Sequence, residues 1–501
     1  MVREETQMFR RNRGRFPFGT ASIATAILMG LVFASLAHAQ KPNIVYIVAD
    51  DLGWRDVGYH GSDIATPNID KLATTGTRLE QFYAQPMCTP TRAALMTGRY
   101  PFRYGLQTLV IPSGHNYGLP TDEWLLPQAL KEAGYDTAII GKWHLGHADP
   151  KYWPRQRGFD YQYGPLIGEL DYFTHEQHGV VDWYRDNKPV KEPGYTTTLL
   201  GSDAVRYIES RSTGKPFYLY LTFNAPHTPY QAPQPYLDRY ARIADPSRRA
   251  YAGSITAMDD EIGRVVAALE RKQLLANTII VFQSDNGGTR NAMFAGEGDP
   301  TKFTVPCDNG PYRDGKASLY EGGTRVPAFV NWPGKVRAGA AFDGMIHVVD
   351  MYPTLLGLAG GSSAKAKPLD GLDVWPAISE GRPSPRTEVV YNIESFRAGL
   401  RQGDWKLVWR APIPSVPELY NIAQDPSEKT DVAAQNPDKV AALQKRVNEL
   451  AATMVKSPLL QIEFDALRKR LAMPPALPGE EFQFSAVPEA AAAAPIKKIS
   501  K

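Results

Sequence analysis

Asn43-Ile44-Val45-Tyr46-Ile47-Val48-Ala49 runs without a charge into two adjacent carboxylates, Asp50-Asp51. A short run this apolar and this rich in β-branched side chains predicts a central strand of a parallel sheet, covered on both faces. Three later runs repeat the pattern. Residues 137–140 lead into Gly141-Lys142-Trp143-His144, residues 217–223 into Asn224-Ala225-Pro226-His227, and residues 278–282 into Ser284-Asp285-Asn286-Gly287-Gly288. Between them lie helix-like segments at 66–73, 122–133 and 256–272, the last with Ile262, Val265, Val266 and Leu269 at helical spacing. Strand and helix in alternation predict an α/β layered domain with a mostly parallel central sheet. In such sheets ligands sit beyond the carboxyl ends of the strands. The four strand ends would thus deliver Asp50, Asp51, Lys142, His144, His227, Asp285 and Asn286 to one edge.

A second stretch bears on chemistry: Pro86-Met87-Cys88-Thr89-Pro90-Thr91-Arg92-Ala93-Ala94-Leu95-Met96-Thr97-Gly98-Arg99. It reads as a loop entering a short helix, with Thr89 as N-cap, Pro90 at the first helical position and Gly98 as the C′ glycine. Cys88 would then lie just outside a helix N-terminus, where free N–H groups favour an anion, and Arg92 would add a fork-shaped cation one turn on. A thiol there is either a nucleophile of depressed pKa or a small buried hydrophobe.

Asp50, Asp51, Asp285 and Asn286 are hard oxygen donors, suited to Ca²⁺ or Mg²⁺ rather than Zn²⁺, and Ca²⁺ better accepts an irregular carboxylate-rich site. Taken singly, each pair is as ordinary as a solvated strand-end turn. Lys142, His144, His227 and Lys316 are candidates for neutralising an anion and moving protons.

The connection 286–316 is rich in Gly, Asp and Pro and long enough to predict a loop that is either functional or disordered. It returns through 315–325 to a strand-like 327–331, and a helix follows at 350–358. After the break Gly360-Gly361-Ser362-Ser363 the pattern changes to short strands at 387–392, 396–401, 405–409 and 419–422, then a helix over 436–457. Strands grouped before a helix predict a small C-terminal α+β subdomain with an antiparallel sheet. The expected divisions are a leader at 1–39, a catalytic domain at 41–375, the subdomain at 376–472 and a Pro/Ala-rich mobile tail at 473–501.

A net charge of +3 offers no basic footprint, so nucleic acid is not an expected partner. Arg10, Arg11, Arg13 and Arg15 precede an apolar run over 21–36, and Ala37-His38-Ala39 follows. That order describes a cleavable signal peptide, with Met8 as an alternative start, and implies export to the periplasm or medium after cleavage near Ala39. The run is short for a membrane span, so stable insertion is not expected. The two cysteines, Cys88 and Cys307, leave no intrachain disulfide if Cys88 is modified.

Cys-Thr-Pro-Thr-Arg followed by Thr97-Gly98-Arg99 resembles the signature of the type I sulfatases, formylglycine-dependent members of the alkaline-phosphatase-like superfamily. The likeness runs over residues 41–432 and takes in Asp50-Asp51-Leu52-Gly53-Trp54, Gly141-Lys142-Trp143-His144, Ser284-Asp285-Asn286-Gly287-Gly288, Glu321-Gly322-Gly323 and Gly403-Asp404-Trp405-Lys406-Leu407. The resemblance implies the alkaline-phosphatase-like fold and Cys88 oxidised to formylglycine by a formylglycine-generating or radical maturation enzyme. It implies one Ca²⁺ held by Asp50, Asp51, Asp285, Asn286 and residue 88. It also implies that Arg92 and Lys142 hold the formylglycine, that His144 assists elimination, and that His227 and Lys316 meet the sulfate and the leaving oxygen. In the implied reaction one hydroxyl of the hydrated aldehyde attacks sulfur, and collapse of the other releases sulfate.

Within the family the look is nearest to the N-acetylgalactosamine 4-sulfatase (arylsulfatase B) type, on Gln85 to Pro90, Asp171-Tyr172-Phe173-Thr174-His175-Glu176 and Ala225 to Pro229. The implied substrate is a sulfated small molecule or glycan, with aryl sulfates cleaved in vitro. Glu169 to His175 and the 286–316 loop are expected to form the substrate wall, with Tyr172 stacking on a sugar. Two other readings stand beside this one: a phosphonate monoester or phosphodiester hydrolase of the same superfamily, and an inactive binder of sulfated glycans. Thr91 departs from the commoner Ser, and the 286–316 loop is longer than the family's.

Overall fold

In the computed structural model, which describes residues 41–471 apart from 213, 297 and 411–415, the strands predicted at 43–49, 137–140, 217–223, 278–282 and 327–331 lie in one ten-stranded sheet with five further strands that the sequence reading did not name. Its members are β1 (Asn43–Ala49), β2 (Thr77–Leu79), β3 (Asp136–Gly141), β4 (Tyr161–Gly164), β5 (Tyr184–Arg185), β6 (Lys188–Pro189), β7 (Phe217–Thr222), β8 (Thr278–Ser284), β9 (Ala328–Asn331) and β10 (Ala340–Phe342). The spatial order is β10-β2-β9-β8-β1-β7-β3-β4-β5-β6. The centre, β8-β1-β7-β3-β4, is parallel throughout, whereas β9 runs antiparallel to β8 and β5 to β4.

Period-two alternation splits β1 between two cores. Ile44, Tyr46 and Val48 pack with Ala93 to Met96 of the helix Cys88–Thr97. Val45, Ile47 and Ala49 pack with the helices Pro67–Thr75, Thr196–Glu209 and Pro246–Arg271 through Ile69, Leu200 and Ile262. Covered on both faces, the strands expose chemistry only at their ends.

Three helix boundaries differ from the sequence reading. The helix expected at 256–272 begins at Pro246, ten residues earlier, because the Asp245 side chain accepts from Arg248 N at 2.7 Å and caps it there. The helix expected at 122–133 is only Leu126–Glu132. The one expected at 436–457 stops at Ala451, and a further helix, Pro458–Arg470, starts behind Ser457, whose hydroxyl caps Leu460 N. The leader (1–39) and the tail (473–501) lie outside the described residues.

The C-terminal strands Glu388–Glu394, Arg397–Gln402, Trp405–Arg410 and Glu418–Asn421 form the expected antiparallel sheet in simple sequential order. Its Leu400, Leu407 and Leu419 share one apolar cluster with Ile44 and Tyr46 of β1, so a continuous core joins the two sheets. A buried ionic bridge does the same. Lys406, on the third strand of the small sheet, sits 2.9 Å from both Glu321 and Glu428 with no exposure of any of the three carboxylate or ammonium side chains beyond 1%. Burial pushes the Glu428 carboxyl up, while for Glu321 burial is outweighed by Lys406 and Arg325, which hold it low. Glu321 also accepts from the hydroxyls of Tyr83 and Tyr391, 2.8 Å each.

Removing the cation leaves two carboxylates facing each other out of water. Lys406→Met should therefore cost about 3–5 kcal/mol of stability, read as a lower midpoint in chemical denaturation. An unchanged midpoint would contradict the bridging role.

Candidate active site at the carboxyl edge of the sheet

β1 ends at Asp50-Asp51 and β8 at Asp285-Asn286, and the two are neighbours, so four oxygen donors meet in one place. All four are at most 2% exposed. Each carboxylate is matched by a cation from a different element. Asp50 takes the Lys142 ammonium, delivered by the end of β3. Asp285 Oδ2 takes Arg92 Nη2 at 2.8 Å and Nε at 3.1 Å, a two-pronged contact from the helix Cys88–Thr97. Asp51 Oδ2 takes Lys316 Nζ at 2.8 Å. Asn286 donates its amide to Asp51 Oδ1 at 2.7 Å and turns its oxygen toward Cys88 Sγ, 3.6 Å away. Thr289 adds a hydroxyl to Asp51 at 3.0 Å, and Thr222, at the end of β7, accepts from Arg92.

Close approach of backbones makes this edge possible. A Cβ on Gly287 would fall 1.8 Å from the Gly322 carbonyl, so the Asn286-Gly287-Gly288 turn and the Glu321-Gly322-Gly323 segment can lie together only without side chains. Their contact, Gly287 N to Gly323 O at 3.0 Å, and Lys316 N to Gly288 O at 3.1 Å, carries Lys316 onto Asp51. Asp51 and His144 are non-glycine residues at φ 63° and 58°, left-handed conformations that cost energy and cluster at functional sites.

Cys88 is the first residue of its helix, behind Met87 as N-cap, rather than just outside it. Thr89 does not cap: its hydroxyl donates to the His144 carbonyl at 2.9 Å and accepts from Ile111 N at 3.2 Å, tying two site loops together. Of the two readings of the thiol, the depressed pKa is also corrected. Burial, then Asp285 and Asp50, push the Cys88 thiol well above its ordinary value. Its Sγ points at Asp50 Oδ1, 3.4 Å away, so it stands in an electronegative pocket as a neutral S–H. Cys307, also buried and unpaired, bonds the Thr289 carbonyl at 3.2 Å and takes no place in the cavity.

A cavity of about 200 Å³ opens above this cluster. Cys88, His144, His227 and Lys316 line its floor, while Arg92 and Lys142 sit behind the carboxylates they hold. His227 faces the Thr228 carbonyl with Nδ1 at 2.5 Å, so Nδ1 carries the proton and Nε2 accepts from Lys316 Nζ at 3.0 Å. Burial and Lys316 bring His227 down to about 4, and burial with Lys142 and Arg92 takes His144 well below its usual value, so both imidazoles are neutral. His144 Nδ1 has no partner among the described residues.

The expected wall is partly displaced. Glu169, Met293 and Phe294 do line the cavity, together with Leu109 to Ser113, Ile167 and Gln177, which nothing in their sequence pattern singled out. Tyr172 does not present a face to a ligand. It is 1% exposed, stacked on Tyr195 at 5.4 Å, with its hydroxyl 2.8 Å from the carbonyls of Asn224 and His227. Desolvating a tyrosine in an α/β core is favoured when its hydroxyl finds acceptors, and here it braces the loop that carries His227. His175 is likewise buried, stacked on Trp183 at 4.6 Å, and Asp171 is spent on Gln231 and two backbone amides.

As a donor set the edge is three carboxylates and an amide oxygen beside residue 88, hard ligands that fit a divalent oxygen-seeking cation. Among the described residues, oxygens of Asp50 and Asp51, Cys88 Sγ and a His227 ring nitrogen all lie within 4.8 Å of one another. Buried carboxylates, a helix-borne residue 88 and a cavity with Lys316 on its floor, at the carboxyl edge of such a sheet, suit the hydrolysis of an anionic ester.

The family model described as Sulfatase matches residues 42–362, and one for the C-terminal region of N-sulphoglucosamine sulphohydrolase matches 312–455. The chain belongs to the sulfatase family and is a sulfuric ester hydrolase. It is 34% identical over 477 residues to arylsulfatase J of Mus musculus, covering 84% of this chain and 78% of that protein. It is 33% identical over 381 residues to N-acetylgalactosamine-6-sulfatase of Homo sapiens, covering 72% and 70%. Among solved structures it resembles Ps i-CgsB, at TM-score 0.77 and 35% identity over 87% of this chain and 98% of the other.

Gly168 gives this geometry a test. A Cβ there would fall 2.1 Å from His144 Cε1, so the imidazole lies flat against a position that admits no side chain. Gly168→Ala should displace the ring and lower turnover by on the order of 10²-fold with the circular dichroism spectrum unchanged. Wild-type kcat in a correctly folded variant would show that His144 need not sit where it does.

Proposed function

We propose that this protein hydrolyses sulfate esters of sugars, and small aryl sulfates in vitro, using Cys88 oxidised to formylglycine and a bound Ca²⁺. The observation that carries the reading is the convergence of residue 88, two neutral histidines and Lys316 on one cavity directly above four buried oxygen donors. The relatives' names support a sugar ester: one is an N-acetylgalactosamine-6-sulfatase, and Ps i-CgsB has been solved in complex with k-i-k-neocarrahexaose. N-acetylgalactosamine 4-sulfate remains one test substrate beside the 6-sulfate. A phosphonate monoester hydrolase shares the fold at 20% identity and TM-score 0.56, and that likeness speaks for the fold alone.

Cys88 Sγ marks where the formylglycine oxygen would lie, because the modification replaces that sulfur. As formylglycine, residue 88 supplies an aldehyde hydrate, a nucleophile able to regenerate its carbonyl by releasing sulfate. Asp50, Asp51, Asp285 and the Asn286 oxygen would hold Ca²⁺, which supplies positive charge to the sulfate oxygens. The three carboxylates and the cations Arg92, Lys142 and Lys316 cancel in formal charge, so a divalent ion would leave the site at +2 toward an anionic ester. Lys316, on the cavity floor, would neutralise sulfate oxygens. Its Nζ donates to His227 Nε2 at 3.0 Å and keeps its proton, so the pair would aim the remaining ammonium N–H groups at the departing alcohol oxygen. His144, neutral and with Nδ1 unbonded, would take a proton from residue 88. The apolar Ile111, Ile167 and Phe294 would keep water from competing.

Export behind the leader at 1–39 and modification by a maturation enzyme complete the proposal. Among the described residues no helix is long and apolar enough to cross a membrane.

The test is peptide mass spectrometry joined to an assay. The tryptic peptide holding residue 88 should be lighter by the replacement of H₂S with O in every active preparation. Cys88→Ala should keep its fold and lose turnover of 4-nitrophenyl sulfate. Active enzyme whose Cys88 is entirely a free, alkylatable thiol would refute the reading.

A further inference from the structure

The carboxylates beneath the cavity all have cations, but Glu169, which lines the cavity itself, does not. It follows Gly168 on the loop after β4, is half-buried, and shares the cavity with Cys88, His144, His227 and Lys316. Among the described residues its carboxyl accepts no hydrogen bond and joins no ion pair, yet it lies close enough to His227 to favour positive charge there. The wall around it is largely apolar, through Leu109, Ile111, Ile167, Met293 and Phe294, with Gln177 and Ser113 as polar neighbours in the lining. Met293, one of the lining residues, is 69% exposed, so the apolar part of the wall meets solvent.

The Glu169 carboxyl oxygens reach solvent, so water serves them until a ligand displaces it, and a ligand that brings no donor there loses those hydrogen bonds. It offers acceptor atoms only, so it rewards an O–H or N–H and repels a second anion. That repulsion is strongest where water is scarce and the distance short. The scissile sulfate must come to the floor at residue 88, so what Glu169 meets is the part of the leaving group beside the ester.

We infer that Glu169 is a specificity-determining residue. It accepts a hydrogen bond from a hydroxyl or amide N–H beside the sulfate ester, and it selects sugar units carrying one sulfate over those with a second sulfate or a carboxylate close by. This rests on the sulfatase reading and names the substrate class within it: a singly sulfated sugar with a donor next to the ester. Gln177, uncharged on the same wall, tolerates either neighbour.

The test uses the full-length, matured enzyme and two matched pairs. One is N-acetylgalactosamine 4-sulfate against its 4,6-disulfate; the other is 2-hydroxyphenyl sulfate against 2-carboxyphenyl sulfate, which needs no sugar recognition. Wild type should favour the singly charged member of each pair. Glu169→Gln, close in shape and lacking the charge, should raise the ratio of kcat/KM for the doubly charged member to that for the singly charged one by about tenfold or more. Gln177→Glu, which adds a carboxylate to the wall, should move the ratio the other way, and it stands as an independent variant should Glu169→Gln fold poorly. A residue that only supported the fold would lower both members equally. Ratios unchanged in both variants, with wild type active, would overturn the inference and leave the sulfatase reading intact. Wild type inert on all four esters while residue 88 is formylglycine would overturn the sulfatase reading and this inference with it.

Discussion

Three carboxylates buried at the ends of two neighbouring strands, each held by a cation from elsewhere in the chain, are the constraint on which the molecule is built. Moving a carboxylate out of water costs several kcal/mol unless it is paired and hydrogen-bonded. Asp50, Asp51 and Asp285 can be folded inward only if Lys142, Lys316 and Arg92 arrive with them. Those cations come from the end of β3, the return of a long loop and the first turns of a helix, so the pairing fixes three separate segments around one point. The close glycine contact between 287 and 322 follows from the same demand, since it brings Lys316 home.

That environment also decides what residue 88 can be. A thiolate beside Asp50 and Asp285, away from water, is opposed by charge and by desolvation together, and the thiol is driven to stay protonated. Without a bound cation an unmodified cysteine is therefore a weak nucleophile here. The proposed aldehyde hydrate, being uncharged, would escape that opposition, with the neutral His144 and His227 lining the same cavity. The helix that carries residue 88 positions it and leaves its charge state to the carboxylates.

Much of this was legible in the chain because strand ends are readable. An apolar run that stops at Asp50-Asp51 or Asp285-Asn286 announces both an element and the edge it points to, and all the sequence-predicted residues from strand ends meet at that edge. Lys316 was harder to place, since it comes from a loop without periodicity. Other readings failed for identifiable reasons. Thr89 before Pro90 has the look of an N-cap, but its hydroxyl is worth more bridging His144 and Ile111, and Met87 takes the cap position. Tyr172 sits in a polar stretch that suggested a ligand face, yet a buried ring with two carbonyl acceptors needs no ligand. The Leu109 to Ser113 wall has no pattern that distinguishes it from any apolar loop, and only the cavity reveals it. The helix Pro458–Arg470 was announced by Ser457-Pro458, a cap and first-turn proline hidden behind the stripe of the helix before it.

The central claim is that the carboxylate edge exists to hold a divalent cation. Elemental analysis of the purified chain, taken with turnover of an aryl sulfate before and after exhaustive chelation, tests it directly. The account predicts calcium at one ion per chain, activity lost with the metal and restored by calcium, and neither metal nor activity in Asp51→Asn. Full turnover by protein shown to be metal-free would contradict it.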